Sequence, residues 1–160
     1  MPGSGALNKG GGAFVGSVSC AWAGNCAAGG LYRDGRGHYQ AFVVSERNST
    51  WGRAIEVPGS GTLNAGSDAT ALSVSCASAG NCAAGGFYQG GSGRFQAFVV
   101  SERNRTHVGQ AIEVLGSGTL NAGGDARVSS VSCRAAGNCA AGGRYMDGSG
   151  HFQAFVVSQA

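Results

Sequence analysis

Charge is scarce in this chain of 160 residues. Asp, Glu, Lys and Arg together make up 12% of it, about half the usual share, too little to solvate a long isolated helix or a coiled coil. No apolar run approaches the roughly 20 residues a membrane-spanning helix needs. The net charge is +3, carried by ten Arg and one Lys, which is too mild for the basic footprint of a nucleic-acid binder. The GxSxG elbow, the HExxH helix and the phosphate-binding loop are all missing. No segment sustains helical periodicity. Glycine is plentiful, at 31 residues, but has no G-X-Y period, so the chain is not collagenous. Hydrophobic residues make up 42%, which excludes a disordered chain. The length suits a single core.

What the chain does have is repetition. GNCAAGG occurs at Gly24–Gly30, Gly80–Gly86 and Gly137–Gly143, and QAFVVS at Gln40–Ser45, Gln96–Ser101 and Gln153–Ser158. The register is 56 residues from the first copy to the second and 57 from the second to the third. The extra residue falls where Trp51 gives way to His107-Val108. Between 58–101 and 115–158, 33 of 44 positions are identical. The chain therefore reads as one domain, 1–160, of three units, 2–57, 58–114 and 115–160. Units of this size are marginal alone and are expected to share a core.

Each unit carries strand signals only. In the second, Ser73–Cys76, Cys82–Tyr88, Phe95–Ser101 and Val108–Val114 read as four short strands. Gly90–Gly93 is a turn, matched by Asp147-Gly148-Ser149-Gly150 in the third unit. Glu102–Thr106 is another turn, and Gly116–Asp125 is a connector. The class is all-β, and four antiparallel strands per unit describe a β-propeller blade. The pattern SVSCASAGNCAAGGFY…GSGRFQAFVVSERN…AIEVPG resembles the repeat of secreted actinobacterial β-propeller proteins of the dispase autolysis-inducing type. The resemblance covers nearly the whole chain. It implies a propeller, secretion, and a transglutaminase substrate in which Gln40, Gln96 and Gln153 are acyl donors.

Three blades are fewer than the usual four to eight. The third unit stops before its fourth strand, and the N-terminus begins at a connector. A ring is then closed by copies of the same chain, two giving six blades or three giving nine, unless the chain is a piece of a longer propeller. The alternative is a β-trefoil or β-prism, in which three units close within one chain.

The six cysteines form three pairs in register: Cys20 with Cys26, Cys76 with Cys82, and Cys133 with Cys139. Each spans a tight hairpin that brings the two thiols within disulfide reach. Zinc would need two further ligands per pair, and no His stands at finger spacing, so no metal and no cofactor is expected. Paired cysteines indicate an oxidising compartment and an extracellular protein. The chain as given shows no leader. Asn48-Ser49-Thr50 and Asn104-Arg105-Thr106 match the glycosylation triplet and also suit a turn.

Candidate functional residues are those that differ between units on a constant frame. The sets are Phe14/Thr70/Arg127, Trp22/Ser78/Ala135, Leu31/Phe87/Arg144, Arg33/Gln89/Met146, Arg36/Ser92/Ser149 and His38/Arg94/His151. Loops on rigid scaffolds commonly carry function. Up-and-down topology places Asp34, His38, Asp68, Arg94, Asp125, Asp147 and His151 on one rim. The carboxylates repeat between units, whereas a catalytic dyad breaks such symmetry. The chain is therefore expected to be a secreted, non-enzymatic binding module that self-associates, most simply as a homodimer, with a homotrimer as the other ring. Its protein or glycan ligand is expected near the ring axis at Asp34, His38, Arg94, Asp147, His151 and Trp22. One rival is a small hydrolase using the rim His as base and Asp as orienter or metal ligand. Another is a lectin stacking sugars on Trp22, Tyr32, Tyr88 and Tyr145.

Overall fold

A computed structural model describes residues 1–103 and 107–159 as three antiparallel sheets joined by short connectors. The first sheet holds β1 (Ala13–Trp22), β2 (Asn25–Arg33), β3 (Tyr39–Arg47), β4 (Thr50–Trp51) and β5 (Ile55–Glu56). The second holds β6 (Ala69–Ser78), β7 (Asn81–Gln89), β8 (Phe95–Arg103), β9 (His107–Val108) and β10 (Ile112–Glu113). The third holds β11 (Arg127–Ala135), β12 (Asn138–Met146) and β13 (Phe152–Gln159). The fold is thus all-β, with one sheet drawn from each unit. The fourth strand is a broken one: β4 and β9 close a hairpin on the third strand, and β5 and β10 rejoin it after three intervening residues. The second glycosylation triplet, Asn104–Thr106, lies outside the described residues. In the first, Asn48 and Ser49 take φ of 47° and 63° in the β3–β4 turn, as a hairpin turn of this kind requires.

Each connector contains a one-turn helix that the strand-only reading did not anticipate: α1 (Ser4–Leu7), α2 (Ser60–Leu63) and α3 (Ser117–Leu120). A single turn is too short for a periodic signal. Its signature is the glycine before it: Gly3, Gly59 and Gly116 have φ of 83°, 81° and 80°, a conformation that strains any residue with a Cβ.

The second sheet lies between the other two. Period-two alternation sends Ala84, Phe98 and Val100 to one face, where they pack with Ala27 and Ala41 of the first sheet. It sends Ala83 and Ala97 to the other, against Ala126, Val128, Val131 and Ala141 of the third. Glycine allows the close approach. A methyl on Gly29 would lie 2.9 Å from Val74 Cγ2 and 3.1 Å from Ala71 Cβ. On Gly85 it would lie 2.5 Å from Val128 Cγ1 and 3.0 Å from Val131 Cγ2. Serine hydroxyls complete each junction. Ser17 and Ser19 accept from the amides of Val74 and Cys76 at 3.0 and 3.1 Å. Ser73 and Ser75 accept from Val131 and Cys133, both at 3.0 Å.

The three expected disulfides are present. Cys20 is bonded to Cys26, Cys76 to Cys82 and Cys133 to Cys139, each joining residues directly opposite in a hairpin. They indicate an oxidising compartment. Cys26 and Cys82, on the second strands, are buried, and Cys82 lies in the cluster that packs the second sheet against the first. Cys76, Cys82, Cys133 and Cys139 all belong to the packed clusters between sheets. The bridges are therefore staples within the fold, and Cys26 offers no surface to a ligand. No helix among the described residues is long and apolar enough to cross a membrane.

Gly85→Ala is expected to cost about 1–3 kcal/mol by overpacking a closed junction. At the equivalent Gly142, an added methyl meets only its own sheet, Phe155 O at 3.6 Å and Val156 Cγ2 at 3.9 Å. At concentrations where the chain is monomeric, urea titration should therefore rank Gly142→Ala well above Gly85→Ala in stability; equal losses there would contradict the junction.

Candidate functional site

The β2–β3 and β12–β13 turns carry most of the expected rim residues, and the connectors run beside them. Gly10 N donates to Arg33 O, Gly66 N to Gln89 O and Gly123 N to Met146 O. Arg94, in the β7–β8 turn, packs its stem beside Gly124. Asp34, Arg94 and Asp147 therefore do share a side of the molecule with Asp68 and Asp125.

Their carboxylates are occupied in building turns. Asp34 Oδ1 accepts from the amides of Arg36 and His38 at 2.8 and 2.9 Å. Asp147 Oδ1 accepts from Ser149 and His151 at 2.9 and 3.0 Å, and its Oδ2 from Gln153 Nε2 at 2.9 Å. Desolvation raises the Asp34 carboxyl, but the amides of His38 and Arg36, the Gln40 side chain and the His38 charge outweigh it, so its pKa is lowered. Asp147 is lowered by Gln153 first and then by the His151 amide. His38 Nδ1 stands 3.9 Å from Asp34 Oδ2 within one turn. No interaction joins that pair to Asp147 and His151, and no three His, Cys, Asp or Glu side chains gather among the described residues. Arg94 replaces His in the second unit, where Gly90 stands in place of Asp.

The glutamines are not equivalent. Asn64, buried in its connector, donates Nδ2 to Tyr39 O and Gln40 Oε1, both at 2.9 Å. Asn121 does the same to Phe95 O at 2.8 Å and Gln96 Oε1 at 3.1 Å. Gln40 is buried and Gln96 half-buried; only Gln153 is exposed. The asparagine clamps went unanticipated, although GTLN or GALN in every unit marks the position.

Several varying positions lie between sheets rather than on loops. Arg127 reaches over the rings of Phe87 at 4.3 Å and Phe95 at 4.8 Å, and these rings meet edge to face at 5.4 Å. Asp125 Oδ1 accepts from Arg127 Nε at 2.7 Å. Arg144 stacks on Phe152 at 4.3 Å. Trp22 is exposed at the end of β1.

Tyr32 and Tyr88 are buried, so neither ring is open to a sugar. Their hydroxyls donate to Glu56 Oε2 at 2.6 Å and Glu113 Oε2 at 2.8 Å. Burial, then the carboxylate's hydrogen bond and charge, raises both phenol pKa values. Tyr145 has no such carboxylate among the described residues. Beside it, β13 has no strand on its far edge among the described residues. A cavity of about 650 Å³ opens between the second and third sheets, lined by Val99, Ile112, Val114, Leu115, Val131 and Val157. In the preceding junction the equivalent space is filled by Val108 of β9.

No family model matches the chain, and no curated protein matches it.

Because Asp147 titrates below the ordinary carboxyl value of about 3.9, the stability it adds is present above that value. It is lost as the pH falls through the lower folded value. Asp147→Ala is thus expected to lower the Tm at neutral pH, with the gap to the parent closing by about pH 2. Thermal melts across pH check this, and a gap that persists in acid would show that the turn bonds are not its cause.

Proposed function

We propose that the protein is a secreted, non-enzymatic interaction module, a run of disulfide-stapled β-propeller blades that binds extended polypeptide by adding a strand along β13. The resemblance of its repeat to secreted actinobacterial propeller proteins agrees with this reading, and the rim carboxylates, committed to turns, do not favour hydrolysis.

The observation that carries it is the slot itself, for which the chain contains two filled templates. In the first two blades the sequences WGRAIEV (51–57) and VGQAIEV (108–114) lie along the third strand. Ile55 and Glu56 pair with Val43 and Phe42, and Ile112 and Glu113 with Val99 and Phe98. Three backbone bonds fix the register: Gly109 N to Ser101 O at 2.8 Å, Ala111 N to Pro58 O at 2.7 Å and Val114 N to Ala97 O at 3.0 Å. A fourth comes from the tyrosine to the glutamate.

In the third blade the matching acceptors are the carbonyls of Ser158, Leu115 and Ala154, and the matching donor is the Tyr145 hydroxyl. The ligand class follows: an extended strand with an apolar residue for the cavity, then Ala-Ile-Glu-Val, its glutamate bonded to Tyr145. Main-chain pairing supplies affinity in such complexes, and alternate side chains supply selectivity. Such a strand arrives on a separate polypeptide or on further residues of the same one.

The test is titration of the 160-residue chain with the peptide Val-Gly-Gln-Ala-Ile-Glu-Val. Saturable binding is expected, weakened about tenfold by Tyr145→Phe, the effect of losing a hydrogen bond to a charged group. A chain extended by the same seven residues should refuse the peptide, which separates the two sources. Equal binding of a scrambled peptide, or none of either, would sink the proposal.

A further inference from the structure

The blade reading leaves two broad faces uncovered, and each is the counterpart of the other. We infer that the outer face of the first blade seats on the outer face of the third blade of a second copy of this chain, and that two copies close a six-blade ring. The inference rests on the propeller reading but uses none of the residues of the strand slot.

The apolar fit comes first. Ala71 and Val74 fill the hollow at Gly29, and Val128 and Val131 fill that at Gly85. The third hollow, at Gly142, holds nothing from another sheet. By the repeat register its occupants are Val15 and Val18, which are 42% and 55% exposed although their equivalents are buried. Across the hollow, Val156 is 76% exposed where its equivalents Val43 and Val99 pack against the next blade.

The polar fit is independent of this. Ser17 and Ser19, then Ser73 and Ser75, accept amide hydrogens from the following blade. Ser130 and Ser132 are the same residues in the third blade, and both are exposed. The amides that match them are those of Val18 and Cys20. The asparagine clamp extends likewise: Asn64 and Asn121 each hold the preceding blade's third strand. Asn8 is the clamp whose target is Phe152 O and Gln153.

The third fit is specific to these sequences. Arg127 is received by Phe87 and Phe95 of the preceding blade. At the copy-to-copy junction the arginine and the aromatic exchange sides. Phe14, 64% exposed, occupies the Arg127 position, and the positions of Phe87 and Phe95 are held by Arg144 and Phe152. Arg144 already stacks on Phe152 at 4.3 Å, so Phe14 adds a second ring to the same cation. A face that merely needed covering would not have this match.

A head-to-tail contact makes either an open filament or a closed ring. Each copy brings three blades, so two copies give six, within the usual four to eight, and three give nine.

The experiment is mass in solution by light scattering, with three single variants whose new side chains point into solvent in the lone chain: Val18→Asp, Gly142→Val and Val156→Asp. The unchanged chain should be a dimer. Each variant alone should be a monomer with an unaltered circular dichroism spectrum. Mixing Val18→Asp with Val156→Asp should restore a one-to-one complex, because one intact junction is recovered. A wild-type monomer at about 100 µM, variants that stay dimeric, or a mixture that stays monomeric would each overturn the inference. Peptide titration of the monomers reads the strand slot separately. Binding there with no ring removes the ring alone, and a dimer without peptide binding removes the slot alone.

Discussion

Everything in this fold depends on how closely one sheet can lie on the next at β1, β6 and β11. The second strand of each unit, Cys-Ala-Ala-Gly-Gly, has too little side-chain volume to fill a core of its own. Glycine removes the Cβ at the point of contact, and a valine from the next unit enters the hollow. The serines beside that valine then take up amide hydrogens of the adjoining strand, which would cost about 1–3 kcal/mol each if buried without a partner. A sheet of this composition cannot be satisfied alone. Its stability is shared with its neighbours, as in other repeat architectures.

That sharing explains why certain residues vary in concert. The sets Phe14/Thr70/Arg127 and Leu31/Phe87/Arg144 look, in the sequence, like independent drift in exposed segments. In the folded chain Arg127 meets Phe87 and Phe95 across the junction between the second and third sheets, so an arginine in one unit stands against aromatics in the unit before it.

The repeat boundaries, the all-β class, the disulfide pairing and the first three strands of each unit were legible because each rests on local pattern. Asp-Gly or Ala-Gly turns, alternating Val and Phe, and cysteines six apart all act within a hairpin. How deeply Cys82 lies was not legible, since its burial comes from packing against the preceding unit rather than from the hairpin itself. The one-turn helices were not legible either, since four residues cannot display a period. The asparagine clamps and serine bridges escaped because their partners are 24 to 58 residues away. The rim aspartates were read as carboxylates repeated from unit to unit rather than as a catalytic pair, and in the fold Asp34 and Asp147 bond the amide of the histidine four residues on and close a turn. Tyr32 and Tyr88, sugar platforms in the lectin alternative, lie under the sheets and hold the fourth strand through glutamate.

The proposed copy-to-copy contact and the proposed strand slot use different kinds of surface, a sheet face and a sheet edge. A sheet face is completed by shape and side-chain chemistry, so its complement must carry a whole blade with valines, an asparagine and an aromatic at fixed positions. A sheet edge is completed by backbone bonds, which any extended strand supplies, with selection left to one or two side chains. Covering the outer face of the third sheet leaves its β13 edge and the adjoining cavity untouched, because the cavity lies on the opposite side, toward the second sheet. Filling the edge leaves Gly142 uncovered for the same reason. The proposed self-assembly and the proposed strand capture therefore do not compete for surface.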